Sequence, residues 1–243
     1  NEVWVAASAH SPGSNSTFFI TDVWIEAPVG AADVDISFLR TGLDKDNKAS
    51  AAVRVSVPAG GQLALPDILG SKFSVTADSG ALRFEVANLS VPPASNPIIV
   101  TSRTYNNASS GTFGQFIPGI PAELAFGTSD GTAATGQQMI GLLTDADYRS
   151  NVGVVNVSKT DSATVTVELR ARSGELLGSN TEVFPPWTHK QYNRIFDVLG
   201  IPPSNNARVI VRVGDGTGRA LSYASIVDNR TGDPIYLPGT NGQ

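Results

Sequence analysis

The sequence predicts an all-β chain: two tandem immunoglobulin-like antiparallel β-sandwiches, each with a short helical plug. Three observations carry that expectation. Apolar residues alternate with polar ones along short runs: Val34, Ile36 and Phe38 around Asp35 and Ser37, Val53, Val55 and Val57 around Arg54 and Ser56, and Val165, Val167 and Leu169 around Thr166 and Glu168. A period of two is what a half-buried strand imposes, because successive side chains point to opposite sides of the sheet. The runs are brief and punctuated by Gly, Pro, Asn and Asp, which favours antiparallel strands over alternating strands and helices. Finally, the chain reads as if written twice, with related phrases spaced by roughly one domain length.

Taken in order, EVWVAA is the first strand, and SAHSPGSNSTFF is a loop leading into TDVWIE. The runs at Val34–Phe38 and Val53–Val57 follow. LPDILG is a leucine-rich turn whose Ile68 and Leu69 would plug the open end of the first core, with Gly70 ending it in a left-handed conformation. A late strand runs into Tyr105-Asn106-Asn107, and the copy closes on IPG at Gly119. The second copy repeats this course. Met139–Leu143 starts it, SNVGVVNVSK and TVTVELRARSG follow, and YNRIFDVLG supplies a plug from Val198 and Leu199 with Gly200 behind. Val209, Val211 and Val213 form a strand, GDGTG a hairpin turn, and the copy ends through Val227-Asp228-Asn229 to LPG at Gly239. The expected domains are 1–121 and 139–243, with the Gly/Thr/Ala-rich stretch 122–138 as linker or crossover.

Composition bounds the function. The 243 residues suffice for two cores. Charged residues make up only 16% and the net charge is −5, so the basic stripe expected of a nucleic-acid partner is missing. Without cysteine there is no disulfide framework and no thiolate metal site. No apolar run is long enough to span a membrane. The chain begins mid-pattern at Asn1, which reads as a processed or trimmed chain. Low charge and abundant Thr, Asn and Gly suit an extracellular or cell-surface protein. Asn15, Asn88, Asn107, Asn156 and Asn229 each match the N-glycosylation acceptor pattern.

Among chemistry-bearing residues, His10 lies in a Gly/Pro/Ser loop, where a ring nitrogen can meet a ligand or simply organise the loop. His189 lies beside Trp187 in PPWTHKQ. Trp187, following two prolines, offers a flat face for a sugar or peptide, or a cover for the adjacent plug. Arg103, with Tyr105 and Asn106 near a strand end, and Asp22 in the second strand complete the ligand-binding candidates. Their gathering with His10 in one cleft would mark an enzyme or metal site. Asp44 and Asp46 in GLDKDNK, and Asp145 and Asp147 in LTDADY, present oxygen ligands at alternate positions that suit calcium, or else cap polar turns. No other cofactor is implied. The serine-nucleophile elbow, the zinc-protease helix and the phosphate-binding Gly-rich loop are absent from the sequence.

The AHSPG loop leading to TFFITDVWI, and the closing phrase VDNRTGDPIYLPG, resemble tandem β-sandwich repeat domains of secreted or cell-surface bacterial proteins. The first copy departs from the closing phrase, reading YNNASSGTFGQFIPG. The resemblance implies an extracellular accessory or adhesive module and carries over no catalytic residue. The expected function is a non-enzymatic module binding a glycan or protein partner at a cell surface through loops at the sandwich ends. A purely structural spacer pair and a secreted hydrolase with a dispersed acidic active site are the alternatives.

Overall fold

A computed structural model describes residues 2–14, 16–91, 97–109, 111–128, 136–214 and 216–241. Asn15 and part of the expected linker (129–135) lie outside the described residues. The chain divides into two compact units, one of residues 1–41 and 49–124, the other of residues 42–48 and 125–243.

The first unit contains β1 (Glu2–Pro12), β2 (Phe18–Glu26), β3 (Ala32–Arg40), β4 (Val53–Val57), β5 (Gln62–Leu65), α1 (Ile68–Phe73), β6 (Asp78–Leu89), β7 (Ile99–Ala108) and β8 (Gly111–Pro121). All eight strands belong to one sheet, in the order β4-β3-β6-β1-β8-β7-β2-β5, and β1 also pairs with β2. That extra pairing closes β1, β8, β7 and β2 into a four-stranded barrel. The long β1 makes closure possible. Its first residues pair with β8 (Val3↔Pro121 to Val5↔Gly119), and its last pair with β2 (Ser11↔Phe19, Pro12↔Phe18). A register shift against β6 between Val5 and Ser8 bends it between the two partners. Where β1 and β2 have not yet met, the buried Thr21 hydroxyl fills the gap. It accepts from Ala9 N at 2.8 Å, donates to the Ala9 carbonyl at 3.0 Å and lies 2.8 Å from Thr104 Oγ1.

The second unit contains β9 (Gln137–Thr144), β10 (Tyr148–Asn156), β11 (Ala163–Arg170), β12 (Leu176–Phe184), β13 (His189–Tyr192), α2 (Ile195–Val198), β14 (Ser204–Val213), β15 (Ala220–Asp228), β16 (Pro234–Pro238) and β17 (Thr240–Asn241). These strands form two open sheets, β13-β10-β15-β16 and β12-β11-β14-β9-β17. Both sheets contribute to one apolar core: Val152 and Val154 from β10, Val165, Val167 and Leu169 from β11, Val209 and Val211 from β14. Asn156 ties the sheets' ends together. Fully buried, it gives its amide to the carbonyls of Asp161 (2.8 Å), Phe184 (3.0 Å) and Pro185 (3.1 Å) and takes Ser158 N at 3.0 Å.

The expectation of two immunoglobulin-like sandwiches with helical plugs is therefore corrected: a closed four-stranded barrel stands in the first unit and two open sheets stand in the second. The two helices are very short, six and four residues. α1 does bury Ile68 and Leu69, but Gly70 lies inside it, and Ser74 ends it in the left-handed region (φ 53°). In α2 the buried pair is Ile195 and Phe196, while Val198 is 51% exposed.

Candidate active site

Three segments of the first unit converge at the outer face of β2. On that face period-two alternation places Ile20, Asp22 and Trp24, with Val23 and Ile25 turned to the buried side. The β2–β7 register sets Arg103 opposite Asp22 and Tyr105 opposite Ile20, so these side chains share the face. Phe116 of β8, opposite Arg103, extends it and is 61% exposed.

Asp67 links this face to His10. It precedes α1 as the N-cap, with φ 39° and ψ 59°, a left-handed conformation that Asp tolerates better than most residues. Its backbone N–H donates to Asp22 Oδ1 at 2.8 Å, and its Oδ1 lies 2.8 Å from His10 Nδ1. Tyr105 donates its hydroxyl to the other oxygen of Asp22 at 3.1 Å. His10 stands edge-on to Phe18, with ring centroids 4.9 Å apart. Gly70 is required for close packing here. A Cβ on it would collide with Asp67 Oδ2 and stand 2.8 Å from His10 Cε1. Burial, and then the charge and hydrogen bond of Asp22, push the Tyr105 hydroxyl up, so it stays protonated at neutral pH.

Of the sequence candidates, His10 and Asp22 are thus joined through Asp67. Arg103 is on the same face, its guanidinium carbon 4.7 Å from the Tyr105 ring centre and its Nη2 2.7 Å from Thr112 Oγ1. Sequence reasoning missed Asp67. The available signal was an Asp immediately before an apolar turn, the N-cap signature. Tyr105, expected near a strand end, lies within β7, three residues before its last.

The remaining candidates do not join this cluster. Trp187, weighed as an open platform or as a cover for the plug, is only 7% exposed, which does not suit an open platform; Lys159 Nζ lies 5.5 Å from its ring centre. His189 is also buried, with Nε2 3.2 Å from the Tyr223 hydroxyl. Tyr223 donates its single proton to Gln191 Oε1 at 2.8 Å, so His189 must donate from Nε2. Nδ1 is then a buried acceptor without a partner, and burial pushes the ring's pKa down to about 3. Asp44 and Asp46 are exposed, Asp44 pairing with Lys45 at 3.1 Å. Asp145 Oδ1 takes the N–H groups of Asp147 (2.8 Å) and Tyr148 (2.7 Å), forming an Asx turn, and Asp147 pairs with Arg230 at 2.6 Å. Among the described residues no three His, Asp or Glu side chains gather as metal ligands.

Between the edge strands β12 and β13, Lys190 Nζ lies 2.6 Å from both Glu182 oxygens, and Tyr192 donates to Glu182 Oε2 at 2.5 Å. Burial raises the Glu182 pKa, but these hydrogen bonds outweigh it and hold the carboxyl below its usual range. The group bridges two sheet edges.

No family profile matches the chain, and no curated protein matches it. Among solved structures the chain is similar to a β-glucuronidase from Ruminococcus gnavus in complex with an N1-substituted uronic isofagomine, at 10% identity and TM-score 0.20, covering 98% of this chain and 36% of that one. It is similar to a T=1 particle derived from infectious bursal virus at 8% identity and TM-score 0.21, covering 99% and 70%. A β-glucuronidase from glycoside hydrolase family 2 follows at 7% identity and TM-score 0.17, covering 96% and 25%. The chain spans about a third of the length of the Ruminococcus enzyme. At these scores no residue role carries across. The family resemblance is corrected on other grounds: no family profile supports it, and a closed ring in one unit with two open sheets in the other is not the tandem-sandwich architecture it implied. The expectation of a non-enzymatic adhesive module or spacer is corrected with it: His10, Asp67, Asp22 and Tyr105 form one connected hydrogen-bonded cluster, which an adhesive or spacer role does not call for. Among the described residues no helix is long and apolar enough to cross a membrane.

Proposed function

We propose that the first unit is a hydrolase acting on a carbohydrate substrate, with His10 as its general base. The observation that carries this reading is the position of Asp67, whose carboxylate holds His10 through Nδ1 while its backbone N–H holds Asp22. A histidine fixed at Nδ1 by a carboxylate has one tautomer and one orientation, and its Nε2 is left to exchange protons. His10 Nε2 takes a proton from water as the water oxygen bonds to the electrophilic carbon. The carbon–oxygen bond to the leaving group breaks, and Nε2 returns that proton to the departing oxygen. Asp22 fixes both Asp67 and Tyr105 and so sets the spacing of the centre. Trp24, Tyr105 and Phe116 on the same sheet face supply ring surfaces for a sugar. The low charge and the Thr/Asn/Gly-rich composition support an extracellular setting.

Aryl glycosides and aryl esters of sugars test the reading together. Turnover of either class that falls by 10²–10⁴-fold in His10→Gln and Asp67→Asn, with circular dichroism unchanged, is the expected result. Absence of turnover with both classes, or full activity in His10→Gln, overturns it.

A further inference from the structure

We propose that the second unit carries an oxyanion-binding groove built around Arg208 and Arg172, independent of the hydrolytic centre. β11 and β14 pair with Arg170 directly opposite Arg208. Like charges facing each other across an antiparallel pair are destabilising. Arg170 is neutralised: its Nε and Nη2 both reach Glu168 Oε2, at 3.0 and 2.8 Å, and its Nη1 donates to the Gly174 carbonyl. Glu168 also takes Arg212 Nε at 3.0 Å, so its charge is already shared between two guanidiniums. Arg208 has no such relief. Its Nε is buried without a hydrogen-bond partner, and among the described residues it forms no ion pair. A buried donor on a charged group left unpaired costs more than a neutral one.

The charge that Arg208 leaves uncompensated borders an open groove. Arg208 lines this groove of about 670 Å³ together with Arg172, Ser173, Gly174, Asn206 and Ile140, and among the described residues no acidic one lines it. Arg172, exposed at the tip of the β11–β12 turn, forms no ion pair among the described residues. The backbone shapes the floor: Gly141 (φ 84°), Gly174 (φ 94°) and Asn206 (φ 53°) all sit in the left-handed region. A Cβ on Gly174 would come within 3.8 Å of Arg208 Nη2, so the turn lies against the guanidinium. Two unneutralised guanidiniums beside a serine hydroxyl and an asparagine amide, in a chain of net charge −5, are the donor set for a single oxyanion. Sulfate, phosphate and a sugar carboxylate share that chemistry.

Titration followed by amide NMR shifts, with sodium sulfate, sodium phosphate and sodium glucuronate in separate arms at constant ionic strength, tests the site and distinguishes its sources. Saturable shifts at Arg172 and Gly174 in at least one arm are expected. Arg208→Met and Arg172→Ala should each weaken that binding at least tenfold. Arg172 is exposed, so its variant keeps the fold even if the Arg208 variant does not. Sodium chloride reproducing the shifts, no saturation in any arm, or undiminished binding in Arg172→Ala overturns the proposal.

Discussion

The two units solve the same problem in opposite ways. Both are antiparallel and must hold together strands far apart in sequence; β4 and β5 stay as the edges of the first unit's sheet, and the ring is made of its inner strands. The first bends β1 so that β1, β8, β7 and β2 pair in a ring, and a threonine hydroxyl completes the seam. The second leaves its sheets open and joins them with side chains, through Asn156 at one end and through Glu182, Lys190 and Tyr192 between two edges. A ring made of backbone pairing leaves its outer face available for chemistry. Sheets joined by side chains commit those side chains to architecture.

Substitutions can separate these two strategies, with hydrogen exchange measured unit by unit. The largest effect is expected from Asn156→Ala, which leaves three carbonyls and the Ser158 N–H without their partner. The second unit should lose about 4 kcal/mol, while amides of β2 and β7 keep their protection. Equal loss in both units would mean that the units unfold as one. Thr21→Val is the counterpart in the first unit. It strands the Ala9 backbone groups at the seam and should cost about 2 kcal/mol there, with β10 and β15 unaffected. An unchanged first unit would show that the ring does not depend on that hydroxyl.

The smallest effect, per pH unit, comes from His189. Folded, its ring resists protonation down to about 3; unfolded, it takes a proton near 6.5. The stability it contributes is complete above pH 6.5 and is lost as pH falls toward 3, at up to about 1.4 kcal/mol per pH unit. The second unit should therefore weaken across that window, and His189→Gln should flatten the decline. A decline of the same slope in the variant would assign the acid sensitivity to other groups.

How much of this was legible depends on the range of the interaction. Alternation is local, and in β11 it coincides with burial at Ala163, Val165, Val167 and Leu169, all fully buried. In β3 it holds through Ile36 and then fails, because Ser37, Phe38 and Leu39 are all buried on both faces. Sheet closure depends on β1 finding partners more than a hundred residues away at Gly119–Pro121, and no local pattern encodes that. The site divides the same way. His10 and Asp22 stood out by residue type, and the β2–β7 register that sets Arg103 beside them is non-local. Asp67 was hidden by the ordinary look of LPDILG. Trp187 misled because two prolines suggest a surface loop, yet its ring is packed away.

Asn156 has one more consequence. It stands in an acceptor pattern with Val157 and Ser158, and its amide is committed to three carbonyls inside the folded unit. A oligosaccharyltransferase working on the nascent chain would reach that nitrogen before the sheets close. An N-linked sugar placed there would forbid the very hydrogen bonds that join them. Produced through a eukaryotic secretory route, the polypeptide should split into a modified, misassembled fraction and an unmodified native one, and Ser158→Ala, although it removes the acceptor of the Arg219 N–H at 2.9 Å, should abolish the modified fraction.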